Sequence, residues 1–132
     1  MRSDKVKKFR FDPKVDSIVL WATAKHRKAY QVTLVLDLGA SYTQLPRRVI
    51  EAIGCRIPKR AKRIKVVTAG GVKRAPLIRL KQLTALRCSV NNLDVLCLDL
   101  PPEAKVDGLL GLNFLRHFNL YLKFKEGIIE IQ

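Results

Sequence analysis

Residues 35–43 read Val35-Leu36-Asp37-Leu38-Gly39-Ala40-Ser41-Tyr42-Thr43, and the rest of the chain is best understood outward from there. Just before it, Tyr30-Gln31-Val32-Thr33-Leu34-Val35-Leu36 alternates, so Val32, Leu34 and Leu36 share one face of a predicted strand. The Asp37 carboxylate therefore stands where that strand leaves its sheet. Gly39, two residues on, lets the backbone fold tightly around the acid, and the small Ala40 and Ser41 leave room for close approach. An acid beside a glycine is by itself an ordinary turn. Its meaning depends on what surrounds it.

Upstream, residues 17–24 are rich in Ile, Val, Leu and Trp and predict a strand, with Lys25-His26-Arg27-Lys28 as a hairpin turn. Downstream, Pro46 opens a short helix over 46–53 that Gly54 stops. After a basic linker, strands at 64–68 and 72–80 flank Ala69-Gly70-Gly71, where glycine supplies the positive φ of a tight hairpin. Further strands are expected at 80–88 and 93–98, with Asn91-Asn92 as the turn between them. A loop at 101–105, a second short helix at 111–118 and closing strands at 119–124 and 128–132 complete the chain. Many short strands with two brief helices predict a mostly β fold, a small barrel or sandwich.

Composition sets the outer bounds. At 132 residues the chain suits one domain that buries roughly two-thirds of its unfolded surface. Hydrophobic residues make up 48%, which argues for a packed core rather than disorder. The apolar run 17–24 is too short to span a bilayer, and residues 1–8 are charged and lead into no signal-peptide core. A soluble cytoplasmic protein with no membrane partner is expected. Cys55, Cys88 and Cys97 form no C-x-x-C and stand at no metal-ligand spacing from His26 or His117, so buried reduced thiols and no metal are expected.

The net charge of +15 is concentrated at residues 5–10, 25–28, 47–48 and 56–65. Such a field attracts phosphate backbones and acidic surfaces in a salt-dependent way. No recognition-helix pattern and no RNA-recognition signature accompany it, so non-specific nucleic-acid adhesion through the basic surface is the expectation from charge alone.

The order of the segments now matters. Val35-Leu36-Asp37-Leu38-Gly39-Ala40-Ser41-Tyr42-Thr43 resembles the apolar-apolar-Asp-Thr/Ser-Gly-Ala motif of retropepsin-like aspartic peptidases, the single-domain type found in retroviruses, retroelements and many bacteria. The Ala69-Gly70-Gly71 hairpin falls where that family places its mobile flap. Asp107-Gly108-Leu109-Leu110-Gly111-Leu112-Asn113-Phe114-Leu115 resembles its second motif, two apolar residues then Gly, and the helix after it. Gly127-Ile128-Ile129-Glu130-Ile131 resembles its last strand. The resemblance runs from about Asp16 to Gln132 and points to the cellular or bacterial branch. It implies a closed barrel-like retropepsin fold over residues 15–132, preceded by a basic N-terminal arm at 1–14 that is flexible or covers a sheet edge.

That resemblance carries a chemistry. Such peptidases hydrolyse amides with two carboxylates that share one proton across a bound water, one acting as base and the other as acid. Close like charges cannot both ionise cheaply, so the pair titrates as a unit. Only one Asp-x-Gly-Ala copy is present, so the second carboxylate must come from a second chain, giving a twofold homodimer with Asp37 from each at its axis. Residues 128–131 are a candidate interface strand, with ordinary pairing inside the chain as the alternative. In the implied roles, Asp37 is catalytic; Leu38, Gly39, Ala40, Ser41 and Thr43 form the active-site loop. Ala69, Gly70, Gly71 and Val72 form the flap over an extended peptide substrate, and Leu109, Leu110 and Gly111 form the second motif. No cofactor is implied. Asp107 reads as a turn or cap residue, His117 as a helix-end residue, and Trp21 as a core or arm contact.

Two departures from the family pattern stand out, of which only the first bears on activity. Leu38 stands where the family has Thr or Ser, whose hydroxyl braces the two active-site loops; one hydrogen bond per subunit, about 0.5–1.5 kcal/mol each, is lost. Ser41 and Leu112 stand where retroviral members often carry an Asp and Arg ion pair, so both charges are absent together. Three functional readings follow: an aspartic endopeptidase, a catalytically impaired dimerisation or peptide-binding module of the same fold, and a basic nucleic-acid-associated protein.

Overall fold

The computed structural model describes residues 5–68 and 70–132; Ala69 and residues 1–4 lie outside the described residues. β1 (Lys7–Arg10) precedes the hairpin from which the barrel is built. β2 (Val19–Lys25) and β3 (Ala29–Leu36) pair antiparallel from Val19↔Val35 to Lys25↔Ala29. Their alternation drives this pairing: Ala22, Ala24, Val32 and Leu34 all point inward and are buried. The opposite face of β2 carries Trp21, which is 70% exposed and so contributes to surface rather than core.

β3 continues the sheet in parallel with β8 (Gly108–Leu110), which meets β4 (Thr43–Leu45) antiparallel at Gln44↔Leu109. β4 runs parallel to β7 (Cys88–Cys97), and β7 pairs antiparallel with the long β6 (Gly71–Ala85). The last residues of β6 then return to β2, from Ala22↔Ala85 to Lys25↔Gln82. Six strands therefore close on themselves as the retropepsin-like barrel, which leaves few open edges. Leu34, Leu80, Leu83, Leu110 and Phe114 fill its interior, fully buried, at about 1.5–3 kcal/mol of burial each. α1 (Arg47–Ala52), begun at Pro46 and ended before Gly54 (φ +75), seals one side with Val49 and Ile50.

The first half of β6 leaves the barrel and pairs with β5 (Arg63–Thr68), from Arg63↔Pro76 to Thr68↔Gly71. Gly71 takes φ +118 at the hairpin turn, which no other residue type adopts comfortably. Thr68 Oγ1 donates to the Gly71 carbonyl at 3.0 Å.

A separate sheet has the order β1, β10 (Ile128–Ile131), β9 (Leu120–Lys123). Residues 128–131 are thus paired on both sides within their own chain, the second of the two expectations for them, and the outer edges of that sheet belong to β1 and β9. Ile129 and Ile131 point into the core. The Phe11 N–H donates to the Gly127 carbonyl at 2.9 Å, so the segment after β1 is held against the β9–β10 turn.

Two expectations need correction. β6 and β7 are single long strands, and the chain reverses at Leu86-Arg87, both at φ +54, instead of at Asn91-Asn92. Positive φ at both central residues is the turn whose twist suits a hairpin, and tertiary contacts hold it here without Asn or Gly. Leu86 is buried, the Arg87 guanidinium lies 4.8 Å from the Phe9 ring centroid, and Lys7 Nζ donates to the Arg87 carbonyl at 2.6 Å. Asn92 uses its tolerance of left-handed backbone, φ +54, inside β7, where the ladder keeps one register on both sides. The second helix, α2 (Leu112–Leu115), is also shorter than expected, because Gly111 is still extended and the residues after Arg116 continue only as turns. Among the described residues no helix is long and apolar enough to cross a membrane.

Candidate active site

Asp37 follows β3 directly, and its turn is bound from both directions. The Asp37 N–H donates to the Leu110 carbonyl at 3.0 Å, extending the parallel pairing of β3 and β8 by one residue. The Gly39 N–H donates to Asp37 Oδ1 at 2.9 Å, and the Ala40 N–H to the Asp37 carbonyl at 3.3 Å. A Cβ at position 39 would stand 3.3 Å from that same Oδ1, so glycine keeps the carboxylate close to the backbone. Oδ2 has no partner among the described residues. Asp37 itself is half-buried.

The second motif packs beneath this loop. Leu112 N–H donates to the Ala40 carbonyl at 2.8 Å and Asn113 N–H to the Ser41 carbonyl at 3.2 Å. Gly111 makes that approach feasible: a Cβ there would lie 2.6 Å from the Tyr42 carbonyl oxygen and 2.9 Å from that of Ala40. Gly108 is equally constrained, its absent Cβ falling 1.9 Å from the Gln44 carbonyl oxygen. Thr43, fully buried, ties the two segments together. Its hydroxyl donates to Asn113 Oδ1 at 2.9 Å and accepts from the Gly111 N–H at 3.1 Å, while its own N–H donates to the same Oδ1 at 2.8 Å. Asn113 Nδ2 in turn donates to the Asp94 carbonyl on β7 at 2.5 Å.

A cleft of about 620 Å³ opens between this loop and the β5–β6 hairpin. Asp37, Gly39, Ala40 and Ser41 line it from the loop, Leu109 from the second motif, Leu96 and Leu98 from the barrel wall, and Ile64, Val66 and Gly70 from the hairpin. Most of these contacts are apolar, which suits a site that excludes water around a carboxylate. Thr43, Leu110 and Gly111 lie under the cleft as support, while Gly71 and Val72 belong to the hairpin but do not line it. Leu38 points outward and is 50% exposed. Ala69 falls outside the described residues.

Comparison with known proteins fits this geometry. The sequence profile of aspartyl proteases matches residues 22–114, more than half of the chain. The chain belongs to the aspartyl protease family. Among solved structures it is similar to a retropepsin-like aspartic protease from Rickettsia conorii, with a TM-score of 0.71 over 96% of this chain and 91% of that one. At 17% identity that likeness is one of fold. No curated protein matches the sequence.

Within this protease fold some cleft residues carry no signal that a sequence reading would register. Gln44 is the polar middle residue of the short β4, yet it is buried in the cleft wall with Nε2 donating to the Leu98 carbonyl at 3.0 Å. Asp99 lines the far end of the cleft, where its Oδ1 accepts from the Arg47 N–H at 2.9 Å at the start of α1. A single acid after the apolar Leu96-Cys97-Leu98 run was the available hint. Lys65 and Lys73 bring positive charge from the hairpin. Asp107, by contrast, lies outside the cleft: Oδ2 accepts from Thr33 N–H at 2.8 Å and Oδ1 pairs with Arg48, so it braces β3 against α1. The cysteines lie outside it too, and burial pushes the Cys55 and Cys97 thiols up, away from the reactive thiolate form.

Proposed function

We propose that this aspartyl-protease-family chain is an endopeptidase that works as a homodimer, with Asp37 of each copy meeting at a shared axis. The observation that carries the reading is the placement of Asp37. One carboxylate oxygen is anchored by Gly39, the other has no partner among the described residues, and Asp37 lines a largely apolar cleft roofed by a hairpin with glycine at its turn. A lone carboxylate cannot both take a proton from water and give one to the amide carbonyl, whereas a pair holding one proton can. The ionised member draws the proton from the water as its oxygen attacks the carbonyl carbon, and the protonated member donates to the carbonyl oxygen. Collapse of the tetrahedral species expels the amine, which takes the proton that the first carboxylate drew from water, while the second carboxylate recovers a proton from the collapsing hydroxyl group. The hairpin closes over an extended peptide, and Lys65 and Lys73, which have no acidic partner among the described residues, favour acidic side chains near the scissile bond.

A peptide-library digest followed by mass spectrometry tests this. Wild-type protein is expected to cleave, a statine-type inhibitor to suppress cleavage, and Asp37→Asn to abolish it; cleavage that persists in Asp37→Asn contradicts the assignment. The exposed Leu38 favours a second reading, a dimeric peptide-binding module in which the loops lack their hydroxyl brace. That reading predicts dimers without cleavage and partial recovery in Leu38→Thr, and an inactive Leu38→Thr dimer counts against it.

A further inference from the structure

Away from the cleft, a second cavity of about 550 Å³ opens between the β2–β3 turn and the segment after α1, with His26, Arg27, Glu51, Arg56 and Arg79 among its walls. Two sequence-distant basic clusters each send one arginine here, Arg27 from residues 25–28 and Arg56 from the start of 56–65. The N–H groups of Arg27 and Lys28 both donate to the Ile53 carbonyl, at 2.9 and 3.1 Å. Gly54 permits the contact, since a Cβ at that position would lie 3.0 Å from Arg27 Cβ.

The charges in this cavity are unevenly satisfied. Arg79 is engaged by Asp94 through Nε at 2.9 Å and Nη2 at 3.4 Å, and Glu51 by Arg47 Nε at 2.9 Å. Arg27 and Arg56 have no acidic partner among the described residues. His26 also lines the cavity, and its Nδ1 is buried with no hydrogen-bond partner among the described residues. Two guanidinium groups with no acidic partner among the described residues, on the walls of one cavity, match the oxygens of a tetrahedral anion.

We propose that this cavity binds a phosphate group, with Arg27 and Arg56 as its charged donors and the His26 ring beside them in the wall. The phosphate is either the free anion or part of a nucleic-acid backbone; Lys59, Arg60, Lys62 and Arg63 run on in sequence from the cavity wall at Pro58 and suit the second source. The site is independent of the proteolytic reading and stands or falls without it.

Two probes test it at physiological salt: a fluorescent oligodeoxythymidylate of about 12 nucleotides, read by anisotropy, and inorganic phosphate, read by NMR of the His26 ring. The double variant R27A/R56A is compared with K14A/K125A, which removes the same charge from exposed positions outside the cavity. All four side chains are exposed, so folding is expected to be retained and is checked by circular dichroism. R27A/R56A should weaken oligonucleotide binding about tenfold or more and lower the salt slope by about 1.4, while K14A/K125A stays within about twofold. If only inorganic phosphate binds, shifting the His26 ring in the wild type and not in R27A/R56A, the free anion is the ligand and the site is upheld. Equal weakening in both double variants, or saturable binding of neither probe, overturns the proposal.

Discussion

Thr43 carries no charge and touches no cleft surface, yet it joins the strand after the Asp37 loop to Gly111 and Asn113. Replacing it with Val keeps the shape and removes the hydroxyl, leaving a buried Gly111 N–H without its acceptor and Asn113 Oδ1 with one donor fewer. Thr43→Val is expected to lose about 1–3 kcal/mol of stability in urea unfolding, and to lower kcat more than KM as the loop that holds Asp37 loosens. An unchanged unfolding midpoint with unchanged kcat would contradict the supporting role. At this scale the sequence was informative where chemistry is written into a short motif, as in the Asp37-Leu38-Gly39-Ala40 turn. It was silent where a role depends on a partner far along the chain. Asn113 and Asp107 acquire their functions from Thr43 and Thr33, each about seventy residues away.

Among the elements, the β1–β10–β9 sheet joins both ends of the described chain, and a single acid sits at its centre. Glu130 receives Lys123 Nζ at 3.0 Å and Lys8 Nζ at 3.7 Å, with Lys8 directly opposite it in register. The hydrogen bond from Lys123 holds the Glu130 carboxyl below the usual carboxylate range. A lowered folded-state pKa contributes stability above the unfolded value, and that contribution is lost as pH falls through the lowered one. The difference in urea midpoint between wild type and Glu130→Gln should therefore be present at neutral pH, shrink on acidification through the carboxylate range, and shrink with added salt. A difference that holds constant from neutral to acid pH would contradict this. Most elements followed from alternation and from Pro and Gly punctuation. The β6–β7 turn did not, because the buried Leu86 and the Arg87–Phe9 contact hold a reversal that Asn91-Asn92 advertised elsewhere.

For the whole molecule, the proposal turns on whether a chain with one Asp-x-Gly-Ala turn completes a two-carboxylate site with a second copy. A charge of +15 on each copy opposes association, though salt screens it over about 8 Å at physiological ionic strength. Outward-facing apolar groups near the cleft work the other way: Leu38 beside Asp37, and Val67 and Val72 on the hairpin, are all well exposed in the single chain. Dimer formation should thus strengthen with moderate salt. The barrel itself was legible in the sequence as an order of motifs, whereas its closure through β2 and β6 was not, since pairing between Ala22 and Ala85 leaves no local trace. The most direct test of the proposed shared site is a mixing experiment, in which peptide cleavage by a fixed amount of wild-type protein is followed as Asp37→Asn protein is added. Two chains sharing one dyad predict that activity falls steadily as mixed dimers with a single carboxylate accumulate. Activity that stays proportional to the wild-type protein alone, whatever amount of Asp37→Asn is present, would contradict it.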